Sequence, residues 1–113
     1  MTTITLHTKP LILNHKHIPV NGRLILTSAW RASKQAMEWE IASQWKNEPL
    51  EGDVTVNVIY YHKNKTHGDI DAYLKMLLDA MEGVVYKNDK QINELHVFRE
   101  FDKENPRTEL QIL

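Results

Sequence analysis

Two aspartates, two positions apart, are the residues whose types and spacing first suggest chemistry. They are Asp69 and Asp71 in the stretch Gly-Asp-Ile-Asp-Ala-Tyr-Leu-Lys, which Lys75 ends. Carboxylates, together with waters and phosphate oxygens, are ligands of Mg²⁺, and an ammonium group can stabilise charge that develops on a phosphate. The pattern is equally typical of a helix start, where aspartate caps the helix and favours its dipole. A pair of Asp71 with Lys75 would then be a surface interaction of about 0.3–0.5 kcal/mol.

A metal site needs more oxygen ligands, and Asp89 is the candidate from another segment. It lies just before a predicted strand over residues 92–101. If that strand runs parallel to the strand over 54–61, the crossover would ordinarily place Asp89 at the opposite end of the sheet from Asp69. A short helix followed by a reversed segment could return Asp89 to the pair, and both arrangements stay open.

The elements that position these residues follow from the hydrophobic pattern. Alternating apolar residues and β-prone composition predict four strands, at residues 4–7, 54–61, 92–101 and 108–113. Asn21-Gly22 between two β-prone runs predicts a hairpin, because a type I′ turn needs positive φ at both positions. Pro19 in its first arm predicts an edge strand.

Two helices complete the pattern. Ser28 is predicted to cap the first, which would run to about Lys46, and Asp69 is predicted to cap the second, which would end at Gly83. The second carries one apolar stripe: Ile70, Tyr73, Leu74, Leu77, Leu78 and Met81. The first carries two apolar arcs: Trp30, Met37, Ile41 and Trp45, and Ala32, Ala36 and Trp39. We expect one arc to pack on the sheet, and the other to meet a second subunit or more of the same core.

The order of these elements predicts one α+β domain over residues 1–113. It would have a mixed β-sheet, two main helices packed against it and an N-terminal hairpin. The sequence contains no cysteine, which excludes a disulfide scaffold and a cysteine zinc site. It has no apolar run long enough to span a membrane and no signal-peptide core, so we expect a soluble cytoplasmic protein.

The net charge of −1 hides an uneven distribution, because residues 1–37 contain no acidic residue. A basic face can bind a polyanion even when the total charge is near zero. The candidate phosphate contacts are Arg23, Arg31, Lys34, Lys63 and Lys65. Each could also be an ordinary solvated charge, since basic clustering is only the first step of a nucleic-acid case.

The stretch GDIDAYLKMLLDAMEGVVYKNDKQI resembles the core signature of the RusA-type Holliday-junction resolvases. The matching residues are the pair Asp69 and Asp71, then Lys75, Leu-Asp-Ala at 78–80, and Asp89 with Gln-Ile at 91–92. More loosely, the upstream stretch from Asn21 is similar to the family's Gly-Arg hairpin and first helix, and the closing TELQIL to its last strand.

The resemblance implies a small, dimeric, bacterial or prophage-encoded endodeoxyribonuclease that cuts branched DNA at four-way junctions. In the family the three aspartates bind the catalytic Mg²⁺ or Mn²⁺, and the lysine assists catalysis. This sequence departs from the pattern in two places. Ala72 stands where the family usually has asparagine, and Asn88 replaces the first aspartate of the Asp-Asp turn.

Three alternatives have distinct consequences. A DNA-junction-binding module without cleavage would bind four-way junctions and yield no metal-dependent product. A nuclease of other branched or single-stranded DNA would also cut linear substrates. A protein-interaction domain would lose little but stability if Asp69 were replaced by asparagine.

Overall fold

The computed structural model describes residues 1–113. Its main sheet has the strand order β1-β6-β4-β5, in which only β4 and β5 are parallel and the other neighbours are antiparallel. The strands are β1 (Thr2–Leu6), β4 (Val54–His62), β5 (Ile92–Phe101) and β6 (Arg107–Ile112). This mixed sheet confirms the predicted α+β class, and it contains the parallel pairing that the sequence analysis stated only as a condition.

Alternation along β4 explains why it lies at the centre of the sheet. Val54, Val56, Val58 and Tyr60 are buried, whereas the residues between them are only partly buried. The buried side chains pack under two helices, α1 (Ser28–Gln44) and α2 (Leu74–Met81). One apolar cluster therefore joins both helices to one face of the sheet. No helix is long and apolar enough to cross a membrane.

The predicted hairpin is present as a separate two-stranded sheet. It consists of β2 (His17–Val20) and β3 (Arg23–Leu26), joined by Asn21 and Gly22 with φ values of 51° and 77°. Both values are those a type I′ turn requires. All eight strand residues are exposed, so the hairpin contributes no side chain to the core.

Thr27, and not the predicted Ser28, caps α1. The Thr27 hydroxyl accepts a hydrogen bond from Trp30 N–H at 3.1 Å and donates to the His15 carbonyl at 2.7 Å. The second bond ties the helix start to the short 3₁₀ turn Leu13–His15. A neighbour distant in sequence thus decides which of two adjacent hydroxyls becomes the cap.

The second helix is shorter than predicted. It begins at Leu74, with Tyr73 at the capping position and no side-chain cap, so the prediction of Asp69 as N-cap is wrong. Ile70, predicted on the apolar stripe, is 43% exposed because it lies in the turn before the helix. Gly83, with φ 86°, reverses the chain just after the helix ends.

Replacing Thr27 by alanine is expected to lower the free energy of unfolding by about 1 kcal/mol, since the Trp30 N–H loses its acceptor. The matched control is Ser28→Ala, which should change stability by less than about 0.5 kcal/mol. Urea unfolding followed by tryptophan fluorescence measures both. An equal or larger loss in Ser28→Ala would contradict the assignment.

Candidate metal and nucleic-acid site

Asp69 and Asp71 lie in tight turns ahead of α2. Ala72 N–H donates to the Asp69 carbonyl at 2.9 Å, and Leu74 N–H donates to the Asp71 carbonyl at 3.3 Å. Both aspartates are exposed, and neither carboxylate accepts a hydrogen bond within the chain. The capping interpretation does not account for this pair, so both carboxylates are available to a cation.

Gly68 anchors this pair to the sheet. Its N–H donates to the Tyr73 hydroxyl at 2.7 Å, and its carbonyl accepts from the Arg99 guanidinium at 3.2 Å. A Cβ at Gly68 would lie 3.1 Å from the Tyr73 hydroxyl and 3.2 Å from the Ala72 Cβ. The small residues at 68 and 72 therefore let this segment fold closely against the Tyr73 side chain.

Lys75 forms its ion pair with Asp79 and not with Asp71. The Lys75 Nζ lies 3.3 Å from the Asp79 Oδ1, one helical turn further along α2. The expected pair between Asp71 and Lys75 is therefore replaced by another pair of the same type. The ammonium group therefore contacts a second group of carboxylates, to which Asp79 belongs.

That second group is an acidic cluster of Asp79, Glu82 and Asp89. One carboxylate oxygen from each lies within 4.8 Å of the others, and Asp89 N–H donates to Glu82 Oε1 at 3.3 Å. Asp89 opens the short 3₁₀ turn Asp89–Gln91, which the side chain of Asn88 caps. The asparagine that departs from the family pattern therefore stabilises the turn that presents Asp89.

Strand direction separates the acid pair from the acidic cluster. Because β4 and β5 are parallel, paired from Val54 with Ile92 to His62 with Phe101, the end of β4 and the start of β5 lie at opposite ends of the sheet. Asp69 and Asp71 follow the end of β4, whereas Asp89 precedes the start of β5. No group of three acidic side chains within 4.8 Å combines Asp89 with this pair.

Tyr86 supports the acidic cluster from below. It is fully buried, and its hydroxyl donates to the Leu78 carbonyl at 2.7 Å. Burial raises the pKa of this phenol, and the carboxylates of Asp89, Glu82 and Asp79 raise it further. The phenol therefore stays protonated and adds no charge beneath the carboxylates.

A groove beside the cluster contains three cations. It has a volume of about 410 Å³, and Lys16, Arg31 and Lys34 lie in its wall together with the acids Glu38 and Asp79. The predicted phosphate contacts Arg31 and Lys34 are therefore next to the cluster. The other three lie elsewhere: Arg23 on the hairpin, and Lys63 and Lys65 on the loop after β4.

The chemistry of the donor set fits a hard divalent cation. Asp79, Glu82 and Asp89 offer carboxylate oxygens only, which suits Mg²⁺ or Mn²⁺. Three like charges this close repel each other, and a cation offsets that repulsion. The acid pair supplies the same ligand type at the other end of α2.

Three residues of this region were not predicted from the sequence as candidate site residues: Asp79, Glu82 and Lys16. A usable signal existed for the two acids, since Asp79 follows Lys75 by four residues and Glu82 follows Asp79 by three, which places them on neighbouring turns. Lys16 carries no local signal, because only the packing of its segment against Trp30 brings it to the groove, with its Nζ 5.7 Å from the ring centre.

Comparison with known proteins gives two matches. The family model described as endodeoxyribonuclease RusA matches residues 11–113. A crossover junction endodeoxyribonuclease RusA from Aquifex aeolicus (strain VF5) is 35% identical over 66 residues, covering 58% of this chain and 52% of that protein. The matched region thus spans about half the length of that relative.

The acidic cluster makes a prediction for stability. Without divalent ions, Asp89→Asn should raise the free energy of unfolding by roughly 0.5 kcal/mol, because it removes one of three mutually repelling charges. Added Mg²⁺ should stabilise the original chain through binding and stabilise the variant much less. Thermal unfolding in EDTA and in Mg²⁺ measures both effects.

The matched control is Glu104→Gln, an exposed carboxylate on the loop between β5 and β6. It should respond to Mg²⁺ like the original chain. An Asp71→Asn variant that loses the Mg²⁺ response while Asp89→Asn keeps it would move the ion to the acid pair.

Proposed function

The chain belongs to the RusA endodeoxyribonuclease family, and from that premise we propose that it is a metal-dependent endonuclease that resolves four-way DNA junctions by paired phosphodiester hydrolysis. The observation that carries this proposal is the acidic cluster beside a cation-lined groove. Carboxylates that hold a divalent ion, next to cations that hold phosphates, are the parts such a hydrolysis needs. Its role would be in DNA recombination and repair.

The proposed ion is Mg²⁺ or Mn²⁺, and its proposed ligands are Asp69, Asp71 and Asp89. The structure adds Asp79 and Glu82 as oxygen donors beside Asp89. When bound, the ion would polarise the scissile phosphate and lower the pKa of a water. Because strand direction separates the two groups, Asp69 and Asp71 would hold an ion at the start of α2, and Asp89 would hold one at the acidic cluster.

Lys75 is proposed as the residue that assists the cleavage. Its ammonium group lies 3.3 Å from Asp79, and the residue itself is at the start of α2, four positions after Asp71. From there it can donate a hydrogen bond to a phosphate oxygen as negative charge develops. Its ion pair with Asp79 holds it in place while the substrate binds.

The basic residues would position the DNA backbone. Arg31 and Lys34 lie in the groove beside Asp79, and we propose that they contact phosphates that pass the acidic cluster. Arg23, Lys63 and Lys65 would contact phosphates outside this groove. Such contacts release counterions, so junction binding should weaken steeply with salt.

We also propose a homodimer, because a junction has two strands to cut and a two-fold pair of sites matches that symmetry. The surface for it is apolar and exposed: Leu24 is 73% exposed and Trp39 is 73% exposed. Ala32 and Ala36, which share the second arc of α1 with Trp39, are exposed as well. A second copy that covers the hairpin and this arc would remove both from water.

The proposed working form is a single RusA-like domain over residues 1–113 in a bacterial cytoplasm, encoded by a chromosome or a prophage. A second candidate function is a junction-binding module without cleavage. The separation of Asp89 from Asp69 and Asp71 favours it, because three scattered ligands would hold an ion weakly. The cleavage experiment below decides between the two.

The proposed nuclease predicts paired, symmetric nicks in a labelled four-way junction when Mg²⁺ or Mn²⁺ is present. Asp71→Asn and Asp89→Asn should each lower the rate by more than about 100-fold, since a metal ion contributes several kcal/mol to such a transition state. Single-turnover cleavage on denaturing gels gives the rates, and a gel shift in Ca²⁺ gives junction affinity.

Two controls accompany this test. A linear duplex of the same sequence should stay uncut, and cutting of both substrates would indicate a nuclease of broader substrate range. Glu104→Gln should cleave at the original rate. Tight junction binding without products in every protein would leave the binding module.

The dimer predicts that sedimentation at micromolar concentration gives twice the chain mass. Leu24→Ser combined with Trp39→Ala should shift the protein to monomer without unfolding it, because both side chains are exposed in the single chain. The matched control is Phe98→Ser, an exposed aromatic on β5 that should leave the dimer intact. A monomer with full cleavage activity would refute the proposal.

A further inference from the structure

A second pocket lies where β1 and β4 end and β6 begins. Its volume is about 290 Å³, and none of the residues that line it is acidic. It shares no lining residue with the acidic cluster of Asp79, Glu82 and Asp89. The lining residues used below are Lys9, Tyr60, His62, Lys63, His67 and Tyr73.

Stacked rings form one wall of this pocket. The rings of His62 and His67 are 4.4 Å apart at 20°, and those of Tyr60 and His62 are 5.7 Å apart at 24°. Tyr73 meets Tyr60 edge-on at 5.4 Å. Flat aromatic walls of this kind are the platforms on which nucleic-acid bases stack.

Two polar atoms in the wall lack partners. The Tyr60 hydroxyl and the His62 Nε2 are buried and make no hydrogen bond, and Tyr60 as a whole is only 2% exposed. Buried polar atoms are nearly always paired, so an unpaired couple in a pocket wall points to a ligand that supplies the partners. Burial lowers the pKa of His62, with His67, Arg99 and Lys9 adding to the effect, so its ring presents one donor and one acceptor at neutral pH.

The charges around the pocket select an anion. Lys9 and Lys63 are exposed at its edge and form no ion pair within the chain. Arg107 is already held by Asp102 at 2.9 Å and Glu109 at 2.8 Å, and it stacks on Tyr61 at 3.8 Å from the ring centre. Arg107 is therefore already paired with carboxylates, and Lys9 and Lys63 are the cations available to a phosphate.

The pocket adjoins the acid pair. The Tyr73 hydroxyl accepts from the N–H of Gly68, the residue directly before Asp69. The Asp71 carboxylate is close enough to contribute to the raised pKa of Tyr60. A ligand seated here would lie next to any phosphodiester bound at Asp69 and Asp71.

We propose that this pocket receives one unstacked base of the DNA substrate, adjacent to the cleaved phosphodiester, with Lys9 and Lys63 on its phosphate. The base would stack on the imidazole wall and pair with the Tyr60 hydroxyl and His62 Nε2. The volume is at the lower limit for small-molecule sites, which suits one base and not a base pair. When a junction is opened at its branch point, a base there loses one stacking neighbour, so extruding it costs less than extruding a base inside a duplex.

This inference rests on the proposed function, and its test separates the two. The four 2′-deoxynucleoside 5′-monophosphates are titrated into the full chain, and the imidazole signals of His62 and His67 are followed by NMR. At least one nucleotide should shift both signals at a lower concentration than inorganic phosphate does. His62→Phe, which keeps a ring but loses the polar atoms, should weaken that nucleotide about tenfold, and Tyr60→Phe should weaken it measurably.

The matched control is His96→Phe, an exposed histidine on β5 that should leave nucleotide binding unchanged. Lys9→Gln with Lys63→Gln, both at exposed positions, should weaken phosphate and nucleotide alike. Equal shifts with inorganic phosphate and every nucleotide would reduce the pocket to a phosphate site. No shift at His62 and His67 with any nucleotide would overturn the inference.

A junction experiment places the base within the substrate. Single abasic nucleotides are introduced on each side of the cleaved bond, and binding is measured in Ca²⁺. One position should lower affinity about tenfold for the original chain and less than about twofold for His62→Phe. If the junction is cleaved normally and no abasic position affects the two proteins differently, the base pocket is refuted and the nuclease is not. A junction that is bound and never cleaved would refute the proposed nuclease. The nucleotide titration would then decide whether the pocket binds a base.

Discussion

The parallel pairing of β4 with β5 is the constraint on which the arrangement of functional residues depends. Two parallel neighbours oblige the chain to travel the length of the sheet between them. The segment containing α2 spans this length, and it has acidic side chains at both ends. The acid pair of Asp69 and Asp71 lies before the helix, beside the aromatic pocket, and the acidic cluster with Asp89 lies after it. Lys75 stands on the helix between them.

Acidic and basic side chains lie next to each other in this arrangement. The chain is close to neutral as a whole, yet Asp79 of the acidic cluster lines a groove that also carries Lys16, Arg31 and Lys34. A surface with acidic and basic side chains next to each other can bind a cation and a polyanion at neighbouring positions. A uniformly basic or uniformly acidic surface cannot. The apolar hairpin lies outside the core, and all its side chains are exposed.

Local pattern accounts for most of the fold. The alternation of β4, the Asn21-Gly22 turn and the bounds of β5 follow from short stretches whose preferences agree with the final structure. The ends of the helices were harder to predict. Thr27 becomes the cap in place of Ser28 because His15 offers its hydroxyl a second partner. Residues 70–73 leave the helix because Gly68, Tyr73 and Arg99 tie that segment to the sheet.

The sequence by itself determined the α+β class, and it revealed carboxylates of the type that can bind a divalent ion, since periodicity and composition are properties of short windows. Only the tertiary structure decided which acids meet. It brought Asp89 to Asp79 and Glu82, paired Lys75 with Asp79, and placed His62 and Tyr60 in one pocket wall. The physical reason is that a carboxylate or an imidazole carries no local signal of its partner. Strand direction and the packing of distant segments assign that partner.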